Sequence, residues 1–185
     1  MVLLKPPVCE FDKPIIDFSL PGVDGKTHTL ADCQGPNGTL VMFICNHCPY
    51  VKSIWSRLIE DVTTLKGLGV YTVAISANDA NEYPEDSFEN MKALANQHNL
   101  PFHYLYDESQ AVAKAYGAVC TPDFFGYNAQ GKLQYRGRLD DTGRDTPKPD
   151  AKHELLEAMK LVAETGRGPE KQVPSMGCSI KWIAE

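Results

Sequence analysis

The sequence has no apolar stretch long enough to cross a bilayer: its longest uninterrupted run, Leu40 to Cys45, is far short of the ~20 residues a spanning helix needs. Its start, Met1-Val2-Leu3-Leu4-Lys5-Pro6-Pro7, has neither the charged beginning nor the long apolar core of a secretory signal. A soluble cytoplasmic protein without membrane contact is therefore expected. Positive charge is also scarce. With 18 Lys and Arg against 24 Asp and Glu, the formal net charge is −6, and no basic cluster overrules it, which argues against nucleic acid as a partner. Repeats and low-complexity tracts are absent. The six cysteines (Cys9, Cys33, Cys45, Cys48, Cys120 and Cys178) include one close pair, which excludes the dense disulfide framework of a small secreted domain.

The 185 residues, 43% of them hydrophobic, suffice for one core. The expected organisation is a single domain over residues 1–185, with an N-terminal extension carrying a hairpin at 1–38, a core at 39–166 and a docked C-terminal tail at 167–185. Phe18-Ser19-Leu20 and Thr27-His28-Thr29-Leu30 flank the turn dipeptide Asp24-Gly25 and predict that hairpin. Leu40 to Ile44 is apolar throughout, as in a strand covered on both faces. Val51, Ile54, Trp55, Leu58, Ile59, Val62 and Leu65 recur at spacings of three and four and predict one amphipathic helix ended by Gly67 and Gly69.

Val70 to Ile75 reads as a second buried strand, and Asp86-Ser87-Phe88-Glu89 as a capped helix start, with Pro101 marking that helix's end. His103 to Tyr106 is a short strand candidate, and Ser109 to Tyr116 a short helix stopped by Gly117. Strands alternating with helices imply a parallel sheet. Phe124 to Tyr127 and Leu133 to Arg138 then bracket Asn128-Ala129-Gln130-Gly131-Lys132, which predicts an antiparallel hairpin. A last helix spans about residues 150–164 with Gly166 as its cap, and Cys178, Ile180 and Trp182 alternate as in a short docked strand.

Cys45-Asn46-His47-Cys48 sits where the first central strand gives way to the helical pattern. A helix N-terminus favours thiolate over thiol, so this junction suits a reactive dithiol. Cys45 is expected to be the exposed, low-pKa nucleophile, and Cys48, a turn inward, the shielded resolving thiol. His47 would tune the pair by stabilising a Cys45 thiolate, and Pro49 fits the first helical turn, where its missing N–H costs little. Two other readings of the thiols are buried packing and half of a metal site. Zinc wants four ligands, and His47 beside Cys48 points roughly 100° away around a helix, so the two do not easily chelate one ion. No metal site is therefore assigned, and a copper or zinc carrier using Cys45, Cys48 and His47 stands as an alternative.

With Cys-x-x-Cys after a strand, a long helix and a later Thr121-Pro122 before Phe124 to Tyr127, the chain resembles the thioredoxin-like superfamily. More closely, Phe43-Ile44-Cys45-Asn46-His47-Cys48-Pro49-Tyr50-Val51, Ser76-Ala77-Asn78-Asp79, Tyr83-Pro84-Glu85-Asp86-Ser87, Thr121-Pro122-Asp123-Phe124 and Gly177-Cys178-Ser179-Ile180-Lys181-Trp182 resemble its AhpC/TSA-type, peroxiredoxin-like branch. The resemblance implies an α/β thioredoxin-like fold: a central mixed sheet flanked by helices, with the N-terminal hairpin and an insertion of about residues 79–116 before a cis-proline. That proline would be Pro122, facing the dithiol, and the backbone of Thr121 would pair with a substrate's extended chain.

The implied activity is thiol–disulfide exchange through a redox-active Cys45–Cys48 disulfide, with no bound cofactor. Its partners would be a protein or small-molecule disulfide or thiol and an unidentified electron donor or acceptor. Two departures qualify the match. Thioredoxin's buried aspartate, six residues before its first cysteine, is replaced here by Thr39, so resolution needs another base or water. In the peroxiredoxin pattern Pro-x-x-x-Thr-x-x-Cys, placing Cys48 at the peroxidatic position puts Val41 and Cys45 at the Pro and Thr positions. The peroxidatic arginine has no counterpart either, its site falling near Thr121-Pro122. A thiol peroxidase using Cys48 is thus the alternative rather than the leading reading.

Among the remaining residues, Cys120 could act as an extra thiol or pack as a spectator. Cys178 could resolve a disulfide or simply be buried. Asp140, Asp141 and Asp145 read as a solvated acidic loop rather than a cation site. Trp55, Tyr104, Tyr106, Phe124 and Phe125 fit core or cleft positions.

Overall fold

The computed structural model describes residues 2–184. In chain order its elements are β1 (Leu3–Leu4), β2 (Ser19–Pro21), β3 (Thr27–Thr29), α1 (Leu30–Cys33), β4 (Gly38–Phe43), α2 (Pro49–Lys52), α3 (Trp55–Gly67) and β5 (Val70–Ser76). After a 3-10 turn at Pro84–Asp86 come α4 (Phe88–His98), β6 (His103–Tyr106), α5 (Ala111–Tyr116), β7 (Cys120–Thr121), β8 (Asp123–Asn128), β9 (Leu133–Tyr135), α6 (Glu154–Thr165) and β10 (Gly177–Ser179).

The apolar residues of β4 are buried without exception, because β4 is the middle of a five-stranded sheet ordered β6-β5-β4-β8-β9. It runs parallel to β5 and antiparallel to β8, so the sheet is mixed. Alternation along the strand splits the core in two. Leu40, Met42 and Ile44 pack with residues of α3 and α6 such as Leu58, Leu65 and Met159, whereas Val41 and Phe43 pack with Phe18, Leu30, Tyr116 and Phe125. This is the expected thioredoxin-like α/β architecture, and the predicted hairpin forms as β2 and β3, with Ser19 opposite Thr29. The segment before the cis-proline also adds β6 to the sheet's edge, parallel to β5.

The helix predicted as one piece after the cysteines is broken. α2 ends at Lys52, and α3 begins three residues later, at Trp55, behind Ile54, which has φ −110° and ψ −3°. Polar side chains satisfy the carbonyls that the break frees: Ser53 Oγ donates to Tyr50 O (3.2 Å), and Arg57 donates to Ser53 O (3.1 Å). The apolar spacing stays in phase across the break, so it left no trace in the pattern. Smaller corrections concern ends: β9 stops at Tyr135 rather than Arg138, and α6 starts at Glu154, later than predicted.

The tail is docked by strand pairing. β10 lies between β1 and β7, with Leu3 opposite Cys178 and Cys178 opposite Thr121. Cys178 and Ile180 are buried as expected, while Trp182 is 38% exposed. No helix among the described residues is long and apolar enough to cross a membrane.

Candidate active site

Ile44 N makes the last backbone bond beyond β4, to Ile75 O (3.1 Å), and Cys45 follows as the chain leaves the sheet. Residues 45–48 form a loop rather than a helical turn. Cys48 is the N-cap of α2 with extended backbone (φ −63°, ψ 122°), a conformation that the following Pro49 imposes by its clash with a helical residue before it. Cys48 is thus not a turn inside the helix. Nor is Cys45 exposed: it is 1% accessible and Cys48 0%.

Asp86, completely buried, holds the loop. Its Oδ1 accepts from Asn46 N (2.8 Å) and His47 N (3.2 Å), and its Oδ2 accepts from Asn78 Nδ2 (2.8 Å) and meets His47 Nδ1 at 2.6 Å. Asn46 in turn donates to Glu85 O (3.0 Å) and accepts from Tyr104 Oη (2.9 Å), and the His47 ring stacks on Tyr83. In sequence Asp86 reads as a helix cap. In the structure Ser87 is the cap, and Asp86 supplies from another element the buried carboxylate that the Thr39 position lacks. Thr39 Oγ1 only accepts from Gly35 N (3.2 Å). The run Tyr83-Pro84-Glu85-Asp86-Ser87 was the available signal.

The acidities of the two thiols run opposite to the expectation. In the thiol form Cys48 Sγ donates to Thr121 O or to Cys178 Sγ, each 3.2 Å away. In the thiolate form it accepts, with the Cys45 thiol the leading donor, and the Thr121 hydroxyl and the Cys178 thiol and backbone N–H add to it. Against burial, these hold Cys48 well below the usual thiol range. Cys45 is pushed well above the usual thiol range, first by its hydrogen bond to the Cys48 sulfur, then by burial and by the Asp86 charge. A thiolate beside that carboxylate is disfavoured, whereas one among thiol, hydroxyl and N–H donors is favoured.

The remaining predicted residues fall into place around this pair. Thr121-Pro122 is a cis peptide, and Thr121 Oγ1 lies 3.5 Å from Cys45 Sγ. The strand edge of Thr121 is not open, however, because Cys178 of β10 pairs with it. The extra thiol at the site is accordingly Cys178 rather than Cys120. Cys120 is fully buried, contacts Pro122 O at 3.6 Å, and is pushed far up by burial. Burial also lifts Cys33 to about 12 and Cys9 to about 11. Of the acidic loop, Asp140 is buried and paired with Arg57 at 2.6 Å, so it is an ion-pair partner and not a solvated charge. Donor atoms of Cys45, His47 and Asp86 lie within 4.8 Å of one another. A carrier built here would use Asp86 in place of Cys48, and would have to displace the donors that Asp86 already holds.

The model of the AhpC/TSA family matches residues 11–136, most of the chain. The chain belongs to the AhpC/TSA family. A search of the curated proteins found no match. Among solved structures, an uncharacterized conserved protein from Geobacillus kaustophilus is 44% identical over 100% of this chain and 98% of its own, with a TM-score of 0.93. A hypothetical protein from Sinorhizobium meliloti 1021 is 38% identical over 98% and 99%, with a TM-score of 0.89. A thiol:disulfide interchange protein of the thioredoxin family from Chlorobium tepidum TLS, 18% identical over 82% and 97% with a TM-score of 0.62, shares the fold. AhpC/TSA membership and the thioredoxin-like fold support redox thiol chemistry, and with it an oxidoreductase.

Proposed function

We propose that this AhpC/TSA-family protein is a thiol–disulfide oxidoreductase in which Cys48 is the attacking thiolate and Cys45 resolves. The observation that carries this reading is that the buried Asp86 carboxylate disfavours a thiolate on Cys45, while the Cys45 and Cys178 thiols can both donate to Cys48 Sγ. Cys48 attacks one sulfur of a substrate disulfide, and the departing thiol takes up a proton. Cys45 then attacks Cys48 and releases the second substrate thiol, leaving a Cys45–Cys48 disulfide. The Asp86–His47 pair stands within reach of Cys45 and accepts its proton as it attacks. No bound cofactor takes part, because the electrons reside in the dithiol and are returned by a small thiol or another redox protein of a reducing compartment such as the cytoplasm.

Because both sulfurs are buried, substrate has to enter by displacing cover. A cavity of about 420 Å³, lined by Tyr50, Pro122, Arg144 and Met176 among others, runs past the sequence neighbours of Thr121 and Cys178 and offers that entry.

A peroxidase reading shares the Cys48 thiolate but lacks its partners. Cys45 occupies the threonine position, and Arg136 is engaged with Asp123 (3.0 Å) and Gly117 O (2.9 Å). Stopped-flow reaction of the reduced protein with 2,2′-dithiodipyridine and with hydrogen peroxide tests the choice. Exchange predicts rapid release of two thiopyridones per protein and at least a 100-fold loss in Cys48→Ser. Peroxide consumption by wild type as fast as disulfide consumption would overturn it.

A further inference from the structure

The Cys48 sulfur touches a second thiol outside its motif. Cys178 Sγ stands 3.2 Å away, within the ~3–3.5 Å of a near-attack arrangement; closing that gap to ~2.05 Å would make a disulfide. The tail is held to this position. Cys178 lies in the middle strand of β1-β10-β7, Ser175 Oγ donates to Pro122 O (2.7 Å), Ile180 N to Val119 O (3.2 Å) and Lys181 N to Asn78 Oδ1 (3.0 Å). At Gly177 a Cβ would come 1.9 Å from Thr121 O, so β10 approaches β7 as closely as only glycine permits.

We propose that Cys178 is a third redox thiol, which attacks Cys48 when that sulfur is held in a disulfide and forms Cys48–Cys178. The inference rests on Cys48 being the redox sulfur. In the step, the Cys178 thiolate attacks Cys48 Sγ, the Cys48–Cys178 bond forms and the existing disulfide bond of Cys48 breaks. The electron pair of the broken bond leaves on the departing sulfur, which takes up the proton Cys178 gave up. That sulfur belongs to the substrate in a mixed disulfide, or to Cys45 in the Cys45–Cys48 disulfide. No oxidant beyond the substrate disulfide is consumed. Burial and the Cys48 sulfur together hold Cys178 at about 12 in the reduced protein, while Lys181 and Arg144 pull it down. Once Cys48 is in a disulfide its negative charge is gone, and Cys178 becomes the better nucleophile when it is needed.

Two thiols therefore compete to resolve Cys48, and losing Cys45 does not stall the site. The test reacts Cys45→Ser and Cys45→Ser/Cys178→Ser with 2,2′-dithiodipyridine at pH 5, and maps acid-quenched, partly oxidised wild type by peptide mass spectrometry. Expected are two thiopyridones from Cys45→Ser with a Cys48–Cys178 peptide, one from the double variant with the probe retained on Cys48, and a detectable Cys48–Cys178 peptide in wild type. A single thiopyridone from Cys45→Ser, with Cys178 still alkylatable, would overturn the role of Cys178 and leave the Cys48 reading intact. Failure of Cys48 to react in either variant would instead sink the Cys48 reading. In that case, wild type containing only Cys45–Cys48 at every stage of oxidation would dispose of the third thiol as well.

Discussion

At the scale of single residues, a sulfur is acidic or inert according to its immediate neighbours. Cys45 and Cys48 share one short motif, yet one faces a carboxylate and the other faces donors. The consequence for stability has a definite sign. Cys48 is held well below the usual thiol range, so between its folded and unfolded pKa values the native state binds fewer protons at this site than the unfolded chain. The stabilisation is fully present above the unfolded thiol's pKa and is lost as pH falls through the lowered folded one. Urea denaturation of the reduced protein against Cys48→Ser, from pH 5 to 8, should show a difference that grows with pH. A constant difference would mean that no thiolate is formed. Asp86 could not be read at this scale from sequence, because a carboxylate before Ser87 at a helix start already has an explanation as a cap.

At the scale of elements, β10 shows both what patterning conveys and where it stops. The alternation of Cys178 and Ile180 marks a docked strand, but nothing local says that its partners are β1 and β7, more than fifty residues away in sequence. The helix after the dithiol illustrates the converse: α3 follows from its spacing, while the break at Ser53 is hidden because the apolar positions remain in phase. The close approach at Gly177 provides a prediction for the strand as a unit. Gly177→Ala forces backbone apart, since the obstacle is Thr121 O at 1.9 Å rather than a flexible side chain. The expected cost is about 1–3 kcal/mol. The shift also separates Cys178 from Cys48, so the pH midpoint of Cys48 alkylation should rise. An unchanged midpoint and stability would show that the strand tolerates the methyl group.

At the scale of the whole molecule, the sheet and its two apolar faces were legible from Leu40–Ile44, Val70–Ile75 and the helix spacings, because hydrophobic periodicity is a property of the chain. Ion pairs between distant segments were not. Arg136 and Asp123 form one such pair, 7% and 0% accessible and 3.0 Å apart, joining β8 to the segment after β9. Removing the cation alone strands a buried carboxylate, so Arg136→Leu should cost about 3–5 kcal/mol. Adding Asp123→Asn should recover much of that loss in thermal unfolding; no recovery would mean that Arg136 matters for its packing on Phe125 instead of its charge. The pairing of β1 with β10, described above for its geometry, also bears on biosynthesis. β1 leaves the ribosome long before β10, the strand it pairs with, and Cys45 and Cys48 are made long before the thiol of β10 that meets Cys48. A nascent chain therefore carries Cys48 without its Cys178 neighbour until β10 has emerged, and the environment it is born into has the first opportunity to set the oxidation state of the dithiol.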